Sequence, residues 1–302
     1  MEQAEISFSD EFTYLHAAIK QLNNIKDDWR FPLVPTEIFK ESDDLVVAAE
    51  IYWKEMLYRI HAATTVSLFR AARWIDGMQA AREAGIYYSF AVNLRGFVES
   101  CSDTFYTMRQ VPLTIAKDFH AIKKSLTGET EIIVAHEPLE EILLHFSHAS
   151  KIPKAQQKTL PEYMNAKQVR EYLNAIVDVN DQIDTLYSYL CQVSHPAAES
   201  NAIFLFHYEN DLIVCGDSYM MEIDLINGLI DTFGNAIQDI FRLICRNGFQ
   251  CFKLLNLFEL DEIFTNHPLI DNIIKSQAWD DVKGFIADSE QLYLDGITNG
   301  RY

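Results

Sequence analysis

Two polar constellations stand well apart in the chain. One is Asn93-Leu94-Arg95-Gly96-Phe97-Val98-Glu99; the other is Tyr187-Ser188-Tyr189-Leu190-Cys191-Gln192-Val193-Ser194-His195-Pro196. Arg95 and Glu99 are spaced by four, so on a helix they share a face. Tyr187, Cys191 and His195 repeat that spacing and form one stripe. A His beside a Tyr and a carboxylate holds the parts for general acid–base work. An Arg at the same place can grip a phosphate or offset developing negative charge. If the two helices are neighbours, these are the parts of a metal-free ribonuclease or nucleotidyl-transfer site. A purely structural reading stands beside it. Arg95 lies among Phe90, Val92, Leu94, Phe97 and Val98, a buried guanidinium must be paired, and Glu99 is the ready partner. His195, at a helix end, can serve as a cap.

The elements that must carry these residues read as helices. Phe12, Leu15, Ala18, Ile19 and Leu22 recur at helical spacing after Asp10, a candidate cap. A long helix opens near Asp43 and breaks near Gly77 or Gly85. The Arg95/Glu99 helix spans about 86–109, and further helices cover 113–126 and 139–149. A loop over 150–161 leads to a long helix from Asn165 or Ala166 to His195, where Pro196 disfavours the α conformation of its predecessor. Residues 203–215 read as a small β-hairpin turning at Glu209-Asn210-Asp211. A helix over 219–247 ends at Gly248, and shorter helices follow near 258–264, 268–276 and 279–291. The expected fold is all-α: a helical bundle with one hairpin insertion. Residues 1–248 would form the core and 249–302 a short helical C-terminal appendage.

Composition narrows the function. Nineteen Phe and fourteen Tyr need burial, while eleven Gly and eight Pro are few for a turn-rich β fold. The net charge is −19, from 25 basic and 44 acidic side chains. That disfavours a broad phosphate-binding face, although a local site could still take RNA or a nucleotide. The five cysteines are scattered and lack a CxxC, as suits a reducing cytoplasm. No secretory signal and no apolar run of bilayer length is apparent. A cytoplasmic protein without membrane association is expected.

The pairing of Asn-Leu-Arg-Gly-Phe-Val-Glu with Tyr-Ser-Tyr-Leu-Cys-Gln-Val-Ser-His-Pro resembles a bacterial group of all-α proteins similar to HEPN domains. That group carries an Arg-x-x-x-Glu helix and a later Tyr-rich helix ending in Leu-Ser/Cys-x-x-x-His-Pro. The likeness spans roughly residues 45–245, with Arg95, Glu99, Tyr187 and His195 at the matching positions. It implies a helical bundle and a place among toxin, abortive-infection and antiviral defence components. The chain departs from the pattern of competent HEPN ribonucleases, which hold Arg and His four to six residues apart on one segment. Arg59 and His61 are too close, and Arg95 has no His downstream within that reach. A working pair would have to be assembled from two helices.

Other constellations are weaker. Glu141, His145 and His148 could face one way and hold a metal, but a solvated helix face is the simpler reading, and no metal or cofactor is expected. Lys151, Lys154, Lys158, Lys167 and Arg170 form the one basic stretch, which could guide a phosphate or an acidic partner. No P-loop, dinucleotide-binding glycine pattern or GxSxG elbow occurs. Two expectations remain open. One is a helical interaction subunit of a defence or toxin–antitoxin type system, with a protein partner and room for a homodimer. The other is a metal-free HEPN-like ribonuclease or nucleotide-modifying toxin using His195 and Arg95.

Overall fold

The computed structural model describes residues 9–25, 29–32, 44–130, 132, 134–208, 212–216, 219–268, 270 and 277–298. They form an all-α fold. The helices, in chain order, are α1 (Asp10–Ile25), α2 (Leu45–Glu83), α3 (Tyr87–Met108), α4 (Val111–Lys117), α5 (Phe119–Leu126), α6 (Glu137–His148), α7 (Val169–Leu173), α8 (Ile183–Ser194) and α9 (Ala198–Ala202). After two short strands come α10 (Tyr219–Asn256) and α11 (Gln277–Thr298). The strands are β1 (Leu205–Tyr208) and β2 (Leu212–Cys215), paired antiparallel with Leu205 opposite Cys215. The turn expected at Glu209-Asn210-Asp211 lies outside the described residues, as does most of the helix expected over 268–276.

The chain divides into two compact units, each assembled from segments distant in sequence. The first takes Met1–Lys20, Ser67–Tyr106 and Gln168–Ile244; the second takes Gln21–Val66, Thr107–Lys167 and Cys245–Tyr302. Residue 248, the expected domain division, falls within α10. In the first unit, Phe12 of α1 packs against Phe241 of α10 at 4.6 Å between ring centroids, and Phe97 of α3 lies 6.2 Å from the same ring. In the second, Trp53, Leu57, Ile115, Ile122, Leu143, Leu254 and Trp279 share one buried cluster, with α11 packed on α4 and α5.

Local chemistry explains most boundaries. All five apolar residues expected to face inward from α1 are buried. Its first turn is capped by Ser9, whose hydroxyl accepts from Phe12 N–H at 3.3 Å, so the cap falls one residue before Asp10. Asp44 caps α2 through Val46 N–H at 2.9 Å. That helix passes through Gly77 and stops at Gly85, whose φ of 65° suits a residue without Cβ. Pro112 and Pro138 occupy first turns, of α4 and α6, where a missing N–H costs nothing.

Four expected boundaries differ. The helix expected over 113–126 is interrupted at Asp118 and becomes α4 and α5. The helix expected from Asn165 to His195 is broken into α7, a 3-10 turn over Val177–Val179, and α8. There Asn180 is extended. Its side chain accepts from Gln182 N–H at 3.0 Å and donates to Asp239 at 2.8 Å, replacing helical backbone bonds. Gly248 does not end α10, which continues to Asn256. The apolar face persists through Phe249, Cys251, Phe252, Leu254 and Leu255, all buried, and that burial outweighs the roughly 1 kcal/mol that a helical glycine costs. Finally, 258–264 is a turn rather than a helix, with Glu259 at φ 59°.

Candidate functional site

The four residues singled out in the sequence meet within the first unit. Arg95 and Glu99 lie on α3, and Tyr187 on α8. His195 caps the C-terminus of α8 with φ −108° and ψ 163°, the extended conformation a following proline requires. Arg95 Nε donates to Glu99 Oε1 at 2.8 Å. The same Glu99 oxygen accepts from the Tyr187 hydroxyl at 2.8 Å. Arg95 Nη1 reaches Ser194 Oγ at 2.8 Å and His195 Nε2 at 3.0 Å. The guanidinium carbon stands 5.7 Å from the centre of the Tyr187 ring. Helical spacing brings Arg95 to Glu99, and the α3–α8 juxtaposition supplies the rest.

The cluster is partly open rather than buried. The Arg95 and Glu99 side chains are 23% and 32% exposed, and His195 is exposed. The fully buried ion pair considered from the apolar neighbours of Arg95 is therefore corrected. Phe90, Leu94, Phe97 and Val98 turn into the core while Val92 and the polar face remain outside. Burial disfavours the Arg95 cation, but the Glu99 hydrogen bond and charge outweigh it and hold the guanidinium more firmly protonated than usual. Burial pushes the Tyr187 phenol well above its ordinary range, and the hydrogen bond to the Glu99 carboxylate and the nearby Cys191 thiol reinforce the shift.

Sequence reading left two contributors without a role. Ser194 donates to Leu190 O at 2.7 Å while receiving Arg95 Nη1, so its hydroxyl relays α8 backbone to the guanidinium. A serine beside a helix-ending His was the only available signal. Gly96 matters for its missing side chain: a Cβ there would lie 2.6 Å from the Trp74 ring of α2. Behind the cluster, Tyr87 and Tyr189 join α3 to α8 through their hydroxyls at 2.6 Å.

The weaker constellations do not converge. His145 is buried, with Nδ1 bonded to Tyr163 O at 2.8 Å, whereas Glu141 and His148 are exposed. Among the described residues, no group of three or more His, Cys, Asp or Glu side chains is placed to hold a metal. In the basic stretch, Lys151, Lys154 and Lys158 are exposed, while Lys167 lies 3.6 Å from Glu162 and Arg170 pairs with Asp184. No described helix is long and apolar enough to cross a membrane. No protein-family model matches the chain, and neither the curated proteins nor the solved structures contain a match.

Proposed function

We propose that the chain is a cytoplasmic helical interaction protein with a HEPN-like core, acting as a subunit of a bacterial defence or toxin–antitoxin type system. The observation that carries this reading is the closure of the polar cluster upon itself. Both Arg95 nitrogens that make hydrogen bonds use partners within the unit, and Glu99 is shared between Arg95 and Tyr187. Such a network fixes the register of α3 against α8 and supports a rigid docking surface. The excess of 44 acidic over 25 basic side chains suits a basic protein partner, recruited by electrostatic steering.

A second reading rests on His195. Its ring is exposed and lies 3.0 Å from a guanidinium supplied by another helix. That is the two-helix pair a metal-free ribonuclease or nucleotide-modifying toxin would require here. Overexpression in bacteria, together with incubation of the purified chain with RNA and nucleotides in the presence of a chelator, separates the two. The interaction reading expects intact RNA and nucleotides, and a growth phenotype unaltered by His195→Gln. Growth arrest relieved by His195→Gln at unchanged folding, with chelator-resistant RNA or nucleotide turnover, would replace it with the enzymatic one.

A further inference from the structure

We infer that Arg95 fixes the tautomer of His195: Nε2 is kept bare and faces the guanidinium while the ring proton sits on Nδ1, so the outward chemistry of the ring is that of a hydrogen-bond donor rather than a base. A guanidinium has N–H donors and no acceptor. The 3.0 Å contact between Arg95 Nη1 and His195 Nε2 can therefore be a hydrogen bond only if Nε2 carries no proton. In the neutral ring the proton then resides on Nδ1. Among the described residues Nδ1 makes no hydrogen bond, and the ring is exposed, so Nδ1–H is available to solvent or a ligand.

Three contacts hold Arg95 in the pose that imposes this tautomer. Glu99 takes Nε at 2.8 Å, Ser194 takes Nη1 at 2.8 Å, and the Tyr187 ring flanks the guanidinium carbon. Tyr187 in turn steadies Glu99. Ser194 precedes His195 in the chain, so the donor and the ring it addresses are referenced to the same turn of α8. Arg95 is thus a positioning residue for His195. While their bond lasts, the Nε2 lone pair is occupied and cannot take a proton from another molecule. The ring can instead offer Nδ1–H to an acceptor oxygen. The tautomer follows from the cluster geometry alone, whereas its meaning for catalysis rests on the second functional reading above.

Long-range proton–nitrogen correlation spectra of the ¹⁵N-labelled full chain near neutral pH test the inference. The chain has nine histidines, and His195 is assigned by the signals that vanish in His195→Gln. The expected wild-type pattern is a protonated Nδ1 and a bare Nε2. Arg95→Met removes the donors and keeps an apolar stem. It should return His195 to the Nε2–H form that an unconstrained imidazole favours. A wild-type His195 with its proton on Nε2 overturns the inference, whether or not Arg95→Met folds. An identical pattern in wild type and folded Arg95→Met overturns the role of Arg95. Failure of every RNA and nucleotide assay would remove the enzymatic reading and leave these spectra unaffected.

Discussion

At the scale of single residues, partial exposure sets the energetics of the site. A fully buried ion pair loses about 3–5 kcal/mol when one partner is removed, and an exposed pair about 0–1 kcal/mol. With Arg95 23% and Glu99 32% exposed, Arg95→Ala should cost about 1–2 kcal/mol in urea denaturation, near the value of a hydrogen bond to a charged group. A loss above about 3 kcal/mol would mean the carboxylate is stranded without water, as in a buried pair. Tyr187 makes a separate prediction in alkali. Its folded pKa is raised above the ordinary 10.0 by burial first and by the bond to Glu99 second. The folded chain therefore holds this proton more tightly than the unfolded chain. The resulting stability is complete below about pH 10 and is lost as pH rises through the folded value. Phenolate absorbance should show a late-ionising class of tyrosines that shrinks in Tyr187→Phe. Tyr87, raised chiefly by burial and next by its bond to Tyr189, should remain in that class. A late-ionising class of unchanged size in Tyr187→Phe, with the loss falling among the tyrosines that ionise normally, would contradict the assignment.

At the scale of elements, close packing overrides local propensity at two glycines. Gly96 sits inside α3, where alanine would favour the isolated helix by about 1 kcal/mol. A Cβ at that position would come within 2.6–2.8 Å of three Trp74 ring atoms. Overpacking against a rigid ring costs about 1–3 kcal/mol, so the net effect of Gly96→Ala should be destabilising, read as a lowered thermal midpoint. A raised midpoint would show that Trp74 swings aside freely. Gly248 illustrates the same competition. As a sequence signal it reads as a helix stop, yet α10 continues because the face beyond it remains buried. Gly85 is different, because its φ of 65° is itself what ends α2, and Tyr219 fills the space where a side chain would stand.

At the scale of the whole molecule, charge is the dominant property. A net −19 repels polyanions at long range. Fluorescence anisotropy at physiological salt should give a dissociation constant for non-specific duplex DNA weaker than about 10⁻⁴ M, the weak limit of ordinary non-specific binders. Tighter, steeply salt-dependent binding would reveal a basic surface that the five cations between Lys151 and Arg170 do not suggest, since two of them pair locally. The division into two compact units belongs to the same scale. Each unit draws on three separated stretches of chain, so neither corresponds to a cut at one residue.

The sequence by itself determined the helical class, the inward face of α1, a stop at one of two glycines, Gly77 or Gly85, and the pairing of Arg95 with Glu99. Each follows from contacts within four residues or from one residue's conformational limits, and such terms act wherever the segment lies. It also determined that α8 ends at His195, because Pro196 constrains its neighbour directly. Tertiary structure decided what local terms leave balanced. It broke the expected 165–195 helix where Asn180 found Asp239, carried α10 past Gly248, and joined Arg95 to Ser194 and His195. It also decided how much water reaches the cluster. Of the apolar neighbours of Arg95 in sequence, Phe90, Leu94, Phe97 and Val98 are buried while Val92 is exposed, and only the packing of other elements fixes which side of a helix is covered.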